Sequence, residues 1–263
     1  MKEIQSRANP LLRQWLKERS HAGRPGHMVW IEGPHLCQAW LQNGLAVRWL
    51  IIDQTRCGDP EIQAICQCVD SEHWVMLAGG LFEQLSDVKS HQGVMLMVDL
   101  PARALPESFP HTVVILDAVQ DPGNVGTILR ICAATGVGTV IATAGTAACW
   151  SPKVLRSAQG AHSGLEIHEV RDISGWLKRY QEKSQRLPII ATTLVQSTSL
   201  YQTHLPEHAI WMFGSEGQGV SADLLALADQ CLRIDHDVQY VESLNVATAA
   251  ALCLFEQRRQ HPA

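Results

Sequence analysis

The sequence predicts an α/β protein of two domains, and three observations carry that prediction. Short apolar runs alternate with helical patterns from about residue 28 onward, as strands alternate with helices in a mostly parallel, helix-covered sheet. A proline-rich stretch with Pro101, Pro106 and Pro110 interrupts that alternation near the middle of the chain. Three polar segments each follow an apolar run directly, and an open α/β sheet places its ligands beyond the carboxyl ends of its strands.

In the first half, apolar runs at 28–32, 47–52, 74–78 and 94–98 read as strands. Helical patterns at 35–42 and 61–68 lie between them, punctuated by Asn43-Gly44 and Gly79-Gly80. This predicts a small α/β domain over about 25–100, with a basic helix from Asn9-Pro10 packed outside it. The prolines make 101–111 a linker and divide 1–100 from 112–263. Beyond it, 112–119 and 138–143 read as strands joined by a helix over 124–135 that Gly136 ends. Further strands are expected at 187–192, 209–213 and 231–234. A last helix is expected over 245–260, where Leu244, Thr248, Ala251, Leu252 and Phe255 recur on the face expected to be apolar, with Ser243 or Asn245 as its cap.

Composition excludes several classes. Hydrophobic residues at 46% and charged residues at 18% are those of a folded chain. No apolar window approaches the roughly 20 residues that cross a bilayer, and the first 20 residues do not resemble a signal peptide. Eight scattered cysteines without a CxxC pair read as reduced, mostly buried thiols in a cytoplasmic protein. The twelve histidines show no ligand spacing, so no metal site is expected. A net charge of −5 does not favour nucleic acid, but residues 1–27 carry a local +4. That basic segment is either an RNA-contacting arm or a solvated helix face.

The first polar segment runs from Leu116 through Asp121-Pro122-Gly123-Asn124 to Arg130. Asn124 is a helix cap or a functional amide, and an arginine in an apolar helix is costly to bury unpaired. The second, 213–221, reads Phe-Gly-Ser-Glu-Gly-Gln-Gly-Val-Ser, where Gly214, Gly217 and Gly219 admit a ligand close to the backbone beside Glu216. It is neither a dinucleotide fingerprint nor a P-loop, which removes the support for a nicotinamide-dependent oxidoreductase. The third runs from Ile234 through Asp235-His236-Asp237 to Ser243-Leu244-Asn245-Val246, at the start of the last helix.

In this order the three segments resemble the motifs of the SpoU/TrmH family of RNA ribose 2′-O-methyltransferases in the SPOUT superfamily, over residues 112–260. The first half resembles, more loosely, the L30e-like RNA substrate-binding domain often joined to them, with Glu32-Gly33 at a matching place. The resemblance implies a trefoil knot in the C-terminal domain, S-adenosylmethionine as cofactor and a homodimer with the active site near the interface. It implies rRNA of 23S type as substrate ahead of tRNA, and a catalytically silent RNA-binding relative is the reading from another class. By motif position, Thr192, Leu194, Gly214, Ile234 and Leu244 would bind the cofactor, and Asn124, Arg130, Glu216, Ser243 and Asn245 would form the catalytic group. Arg130 is implicated in activating the ribose hydroxyl, although a guanidinium is a poor base and Glu216 is the more conventional one. Where relatives have Pro-Met, this chain has Asp235-His236. Asp235 and Asp237 would then either help hold the cofactor's positive charge or face solvent.

Overall fold

A computed structural model describes residues 1–23, 27–100 and 104–262. Arg24 of the basic leading segment and Pro101 of the expected linker lie outside the described residues. In chain order the elements are Lys2–Ile4 (β1), Pro10–Arg19 (α1), Val29–Glu32 (β2), Pro34–Gln42 (α2), Trp49–Asp53 (β3), Pro60–Cys66 (α3), Trp74–Leu77 (β4), Phe82–Leu85 (α4) and Val94–Val98 (β5). Then come Val113–Asp117 (β6), Pro122–Thr135 (α5), Thr139–Ala142 (β7), Pro152–Ala158 (α6), Glu166–Glu169 (β8), Ser174–Gln181 (α7), Ile189–Thr192 (β9), Thr198–Ser199 (β10), Ile210–Gly214 (β11), Ala222–Leu225 (α8), Gln230–Arg233 (β12) and Val246–Gln260 (α9).

The chain forms two compact units, one of Met1–Ala102 with Trp150–Ser163, the other of Arg103–Cys149 with Gly164–Ala263. The first holds a five-stranded sheet in the order β1-β4-β3-β5-β2, in which β5 runs antiparallel to both of its neighbours. Two expectations fail here. Residues 2–4 are a strand, paired in parallel with β4, so the unit begins well before residue 25. Helix α1 is not an outer appendage, because Leu12 and Trp15 are fully buried with Trp30, Val75 and Phe82. Asn9 starts it as expected, its Oδ1 accepting from Leu11 N at 2.9 Å. Arg19 leaves the basic face altogether: its side chain is 6% exposed and pairs with Glu32 and Asp87, both at 3.0 Å.

The second unit holds a seven-stranded, all-parallel sheet in the order β10-β12-β9-β11-β6-β7-β8. Strands β6 and β11 are buried at every residue, as the central strands of a two-sided parallel sheet must be. Strand β6 stops at Asp117, short of the expected residue 119. Ala118 takes a left-handed φ of 53°, which turns the chain out of the sheet at a cost of about 1–2 kcal/mol. Helix α9 packs against α5, but not by the predicted face. Val246, Ala250, Cys253, Leu254 and Gln257 point inward, while Thr248 and Phe255 are exposed. Gln257 is the reason: its Oε1 accepts from Trp211 Nε1 and its Nε2 donates to Pro206 O, so a polar residue fastens the buried face.

None of the eight cysteines forms a disulfide, and four rather than most are buried: Cys37, Cys132, Cys149 and Cys253. No helix among the described residues is long and apolar enough to cross a membrane.

Candidate active site

The order of the second sheet reverses beside β6, so the carboxyl ends of β6, β9, β11 and β12 lie at one edge of the unit. Asp117, at the end of β6, organises that edge. Its Oδ1 accepts from Thr143 Oγ1 at 3.1 Å and its Oδ2 from Ser221 N at 2.8 Å, tying the loop after β11 to the first strand. The motifs did not single it out, although an acid closing an apolar strand was the available signal.

The Phe213–Ser221 loop folds back on itself. Ser215 N donates to Gly219 O at 3.1 Å and Gly219 N to Ser215 O at 2.9 Å. That fold leaves no room at Gly214, where a Cβ would lie 1.9 Å from the Gly219 carbonyl carbon. Glycine is therefore required at 214 by close backbone approach.

At the first turn of α5 the cap is Asp121, whose Oδ1 accepts from Asn124 N at 2.8 Å. Asn124 is thus not the cap, and its side chain does other work. Its Nδ2 donates to Glu216 Oε1 at 2.7 Å, and its Oδ1 accepts from Asn245 Nδ2 at 2.9 Å. Asn245 does cap α9, its Oδ1 accepting from Ala247 N at 2.9 Å and Thr248 N at 3.2 Å. The three loops are in this way joined through Asn245, Asn124 and Glu216. Burial pushes the Glu216 carboxyl up, but the Asn124 amide and the N–H groups of Glu216, Gln120 and Asp121 outweigh it and hold it below the usual carboxylate range. An ionised carboxylate so engaged is a clamp, and a weaker general base than a free one.

Beside this cluster a cavity of about 490 Å³ opens between the ends of β9, β11 and β12 and the first turns of α9. Thr192, Leu194, Gly214, Ile234 and Leu244 all line it, together with Glu216 and Ser243. The cofactor-side positions therefore converge. The wall is largely apolar, as ligand cavities of about 300–1,000 Å³ are, with backbone groups of glycine loops exposed in it. These features fit S-adenosylmethionine: aliphatic side chains for a flat base, main-chain donors and acceptors for its polar edges, and a cradle at Gly214 that a side chain would fill. Thr192 Oγ1 itself donates to Met212 O at 3.2 Å, so its hydroxyl first braces β9 on β11.

Arg130 is not brought to this cluster. It is exposed on α5 with no hydrogen bond or ion pair among the described residues. Six residues beyond Asn124, it lies about 9 Å along the helix and about 120° around it. Burial therefore imposes no cost on it. The two extra carboxylates do not reach the cavity wall either. Asp235 is held by the Ser199 hydroxyl and by Arg233 Nε at 2.9 Å, and Asp237 Oδ1 accepts from Gln239 N at 2.9 Å. The Ser199 hydrogen bond, helped by Arg233, keeps the Asp235 carboxyl below its usual range against desolvation.

Comparison with known proteins bears on the same segments. A model of the SpoU rRNA methylase family matches residues 111–255. The chain is 34% identical over 263 residues to an uncharacterized tRNA/rRNA methyltransferase of Synechocystis, covering 98% of this chain and 93% of that protein. It is 30% identical over 260 residues to the 23S rRNA guanosine 2′-O-methyltransferase RlmP of Bacillus subtilis, covering 98% of this chain and 100% of that one. Among solved structures, an AdoMet-bound rRNA methyltransferase from Sinorhizobium meliloti shares the fold, with a TM-score of 0.85 at 22% identity over 100% of this chain and 99% of that one.

Proposed function

The chain belongs to the SpoU rRNA methylase family, and we propose that it transfers the methyl group of S-adenosylmethionine to a ribose 2′-hydroxyl of 23S-type rRNA. The observation that carries this is the convergence of the three loops: the Asn245–Asn124–Glu216 chain of hydrogen bonds stands beside a cavity lined by Thr192, Leu194, Gly214, Ile234 and Leu244. The full-length likeness to a 23S rRNA 2′-O-methyltransferase, which extends through the N-terminal unit, favours rRNA over tRNA.

When bound, S-adenosylmethionine supplies a methyl group on a sulfonium, open to in-line attack by an oxygen nucleophile. The chain's own part is alignment and charge. The glycine loop and Leu244 hold the cofactor through main chain, while Thr192 and Leu194 line the adenosine side. Asn124 and Asn245 keep the facing loops in one geometry, with Glu216 as their anchor and Ser243 at the cavity rim. Arg130, unpaired and exposed, is free to grip an RNA phosphate and polarise the ribose hydroxyl, a task for a planar fork of donors rather than for a base.

The same reading assigns RNA binding to the first unit, which takes in Trp150–Ser163 as well as the expected 1–100, and catalysis to the rest of 112–263, with the C-terminal segment threaded as a trefoil knot. It makes the protein a cytoplasmic homodimer. The exposed Phe255 and Thr248 on α9, with the half-buried Leu252 between them, support a second copy covering this face.

The test is methyl transfer from labelled S-adenosylmethionine to rRNA and, separately, tRNA from cells lacking the enzyme. Label in 23S rRNA alone is the expected result. Label confined to tRNA would move the substrate, and no label with cofactor bound would support a silent RNA-binding module.

A further inference from the structure

None of the roles above uses His236, which stands where the sequence departs from its relatives. Its imidazole forms part of the cavity wall beside Ile234, Ser243 and Leu244. Its Nδ1 lies 2.9 Å from Ile234 O, and a carbonyl only accepts, so Nδ1 donates there and in the neutral ring Nε2 presents a lone pair. That Nε2 is closed off from solvent and has no hydrogen-bond partner among the described residues. An acceptor reached neither by water nor by protein is costly to leave so. The donor has to come with the molecule that fills the cavity.

We propose that His236 Nε2 accepts a hydrogen bond from an N–H or O–H group of the S-adenosylmethionine held in this cavity, and so serves as a cofactor-recognising residue. The inference rests on the methyltransferase reading above. The residues that follow, from Asp237 to Glu242, are exposed, so little packing restrains a small turn of the ring toward the cofactor. Charged groups around it are already engaged. On its own loop Asp235 is paired with Ser199 and Arg233, and Asp237 accepts from Gln239 N. From β12 Arg233 faces Asp235, and from the loop after β11 Glu216 is taken up by Asn124. The free amides of α9 are capped by Asn245.

The experiment is calorimetric titration of the full chain with S-adenosylhomocysteine, for the wild type, His236→Phe and His236→Gln, with thermal unfolding followed for each. His236→Phe is expected to weaken binding about tenfold or more. His236→Gln keeps a side-chain acceptor, and is expected to stay within about threefold of wild type. Equal binding by wild type and His236→Phe would overturn the inference. If His236→Phe does not fold, His236→Ala is titrated in its place, and equal binding by it and the wild type would overturn the inference. A wild type that does not bind S-adenosylhomocysteine would overturn the methyltransferase reading and this inference together.

Discussion

Asn245 Nδ2 donates to Asn124 Oδ1 at 2.9 Å, joining the first turn of the last helix to the first turn of the helix that follows β6, 121 residues earlier. The direction of that bond is fixed from one end. Asn245 Oδ1 must accept the free amides of α9, so only its Nδ2 is left to face Asn124. Asn124 must then turn its own Nδ2 to Glu216, where a carboxylate accepts it. A helix cap thereby sets the orientation of two further side chains.

The first prediction follows from that order. Asn124→Asp puts a carboxylate against Glu216 and removes the donor that helps keep the Glu216 carboxyl low, so the loops separate. Methyl transfer should fall about 100-fold, the scale of a misplacement of about 1 Å. Calorimetric affinity for S-adenosylhomocysteine should stay within about threefold of wild type, because the aliphatic cavity wall is untouched. A variant that loses cofactor and turnover in parallel would contradict this division of labour.

A second prediction concerns the N-terminal unit. Arg19 and Glu32 are 6% and 7% exposed and meet at 3.0 Å, while burial pulls the guanidinium pKa down against the pull of Asp87 and Glu32. Arg19→Met leaves Glu32 buried without its partner and should cost about 3–5 kcal/mol. Arg19→Met with Glu32→Leu should cost less than that single change. Urea unfolding read by tryptophan fluorescence reports it, since Trp15 and Trp30 lie in the same core.

How far these features could be read beforehand depended on where the deciding contacts lie. The strands of the sheet centres were legible because burial on both faces forces uninterrupted apolar runs such as 113–116 and 210–213. The three loops were legible because glycine, asparagine and acid cluster directly after such runs. Strand β1 was not, since three residues carry no period and its reason for being a strand is Val75 to Leu77, more than 70 positions away. Strand β8, Glu-Ile-His-Glu, reads as polar and is a strand because β7 lies beside it. The inward face of α9 was misread because Trp211 and Pro206 make Gln257 a core residue while Phe255 stays out. Whether Asn124 caps α5 or does other work stayed open because Asp121 and Asn124 are both good caps, and only the Glu216 contact separates them.

Acid should loosen the last helix. Hydrogen bonds from Arg259 and then Gln260 hold the Glu256 carboxyl down to about 2, below the ordinary carboxylate range. A group whose folded pKa is depressed contributes its stability in full above the unfolded value and loses it as pH falls through the folded one. The contribution is therefore present above about pH 5 and fades toward about pH 2. Glu256→Gln should unfold at lower temperature near neutral pH and show a flatter decline between about pH 5 and pH 2. An unchanged slope would mean that the carboxylate does not tie α9 down.

The open stripe of α9 gives a fourth prediction. Phe255 is 50% exposed, and with Leu252 it supplies apolar surface that a second copy would cover. Phe255→Glu should shift the protein to a monomer in sedimentation while its far-UV circular dichroism stays the same. A wild type that is monomeric at all concentrations would exclude the dimer.

The central claim is that the acceptor is a ribose oxygen. It is tested most directly by alkaline digestion of rRNA methylated with labelled S-adenosylmethionine, because a 2′-O-methyl group blocks cleavage of the neighbouring phosphodiester. The account predicts the label in alkali-resistant dinucleotides, and its loss with Asn124→Asp. Label released in mononucleotides, on the base, would contradict it.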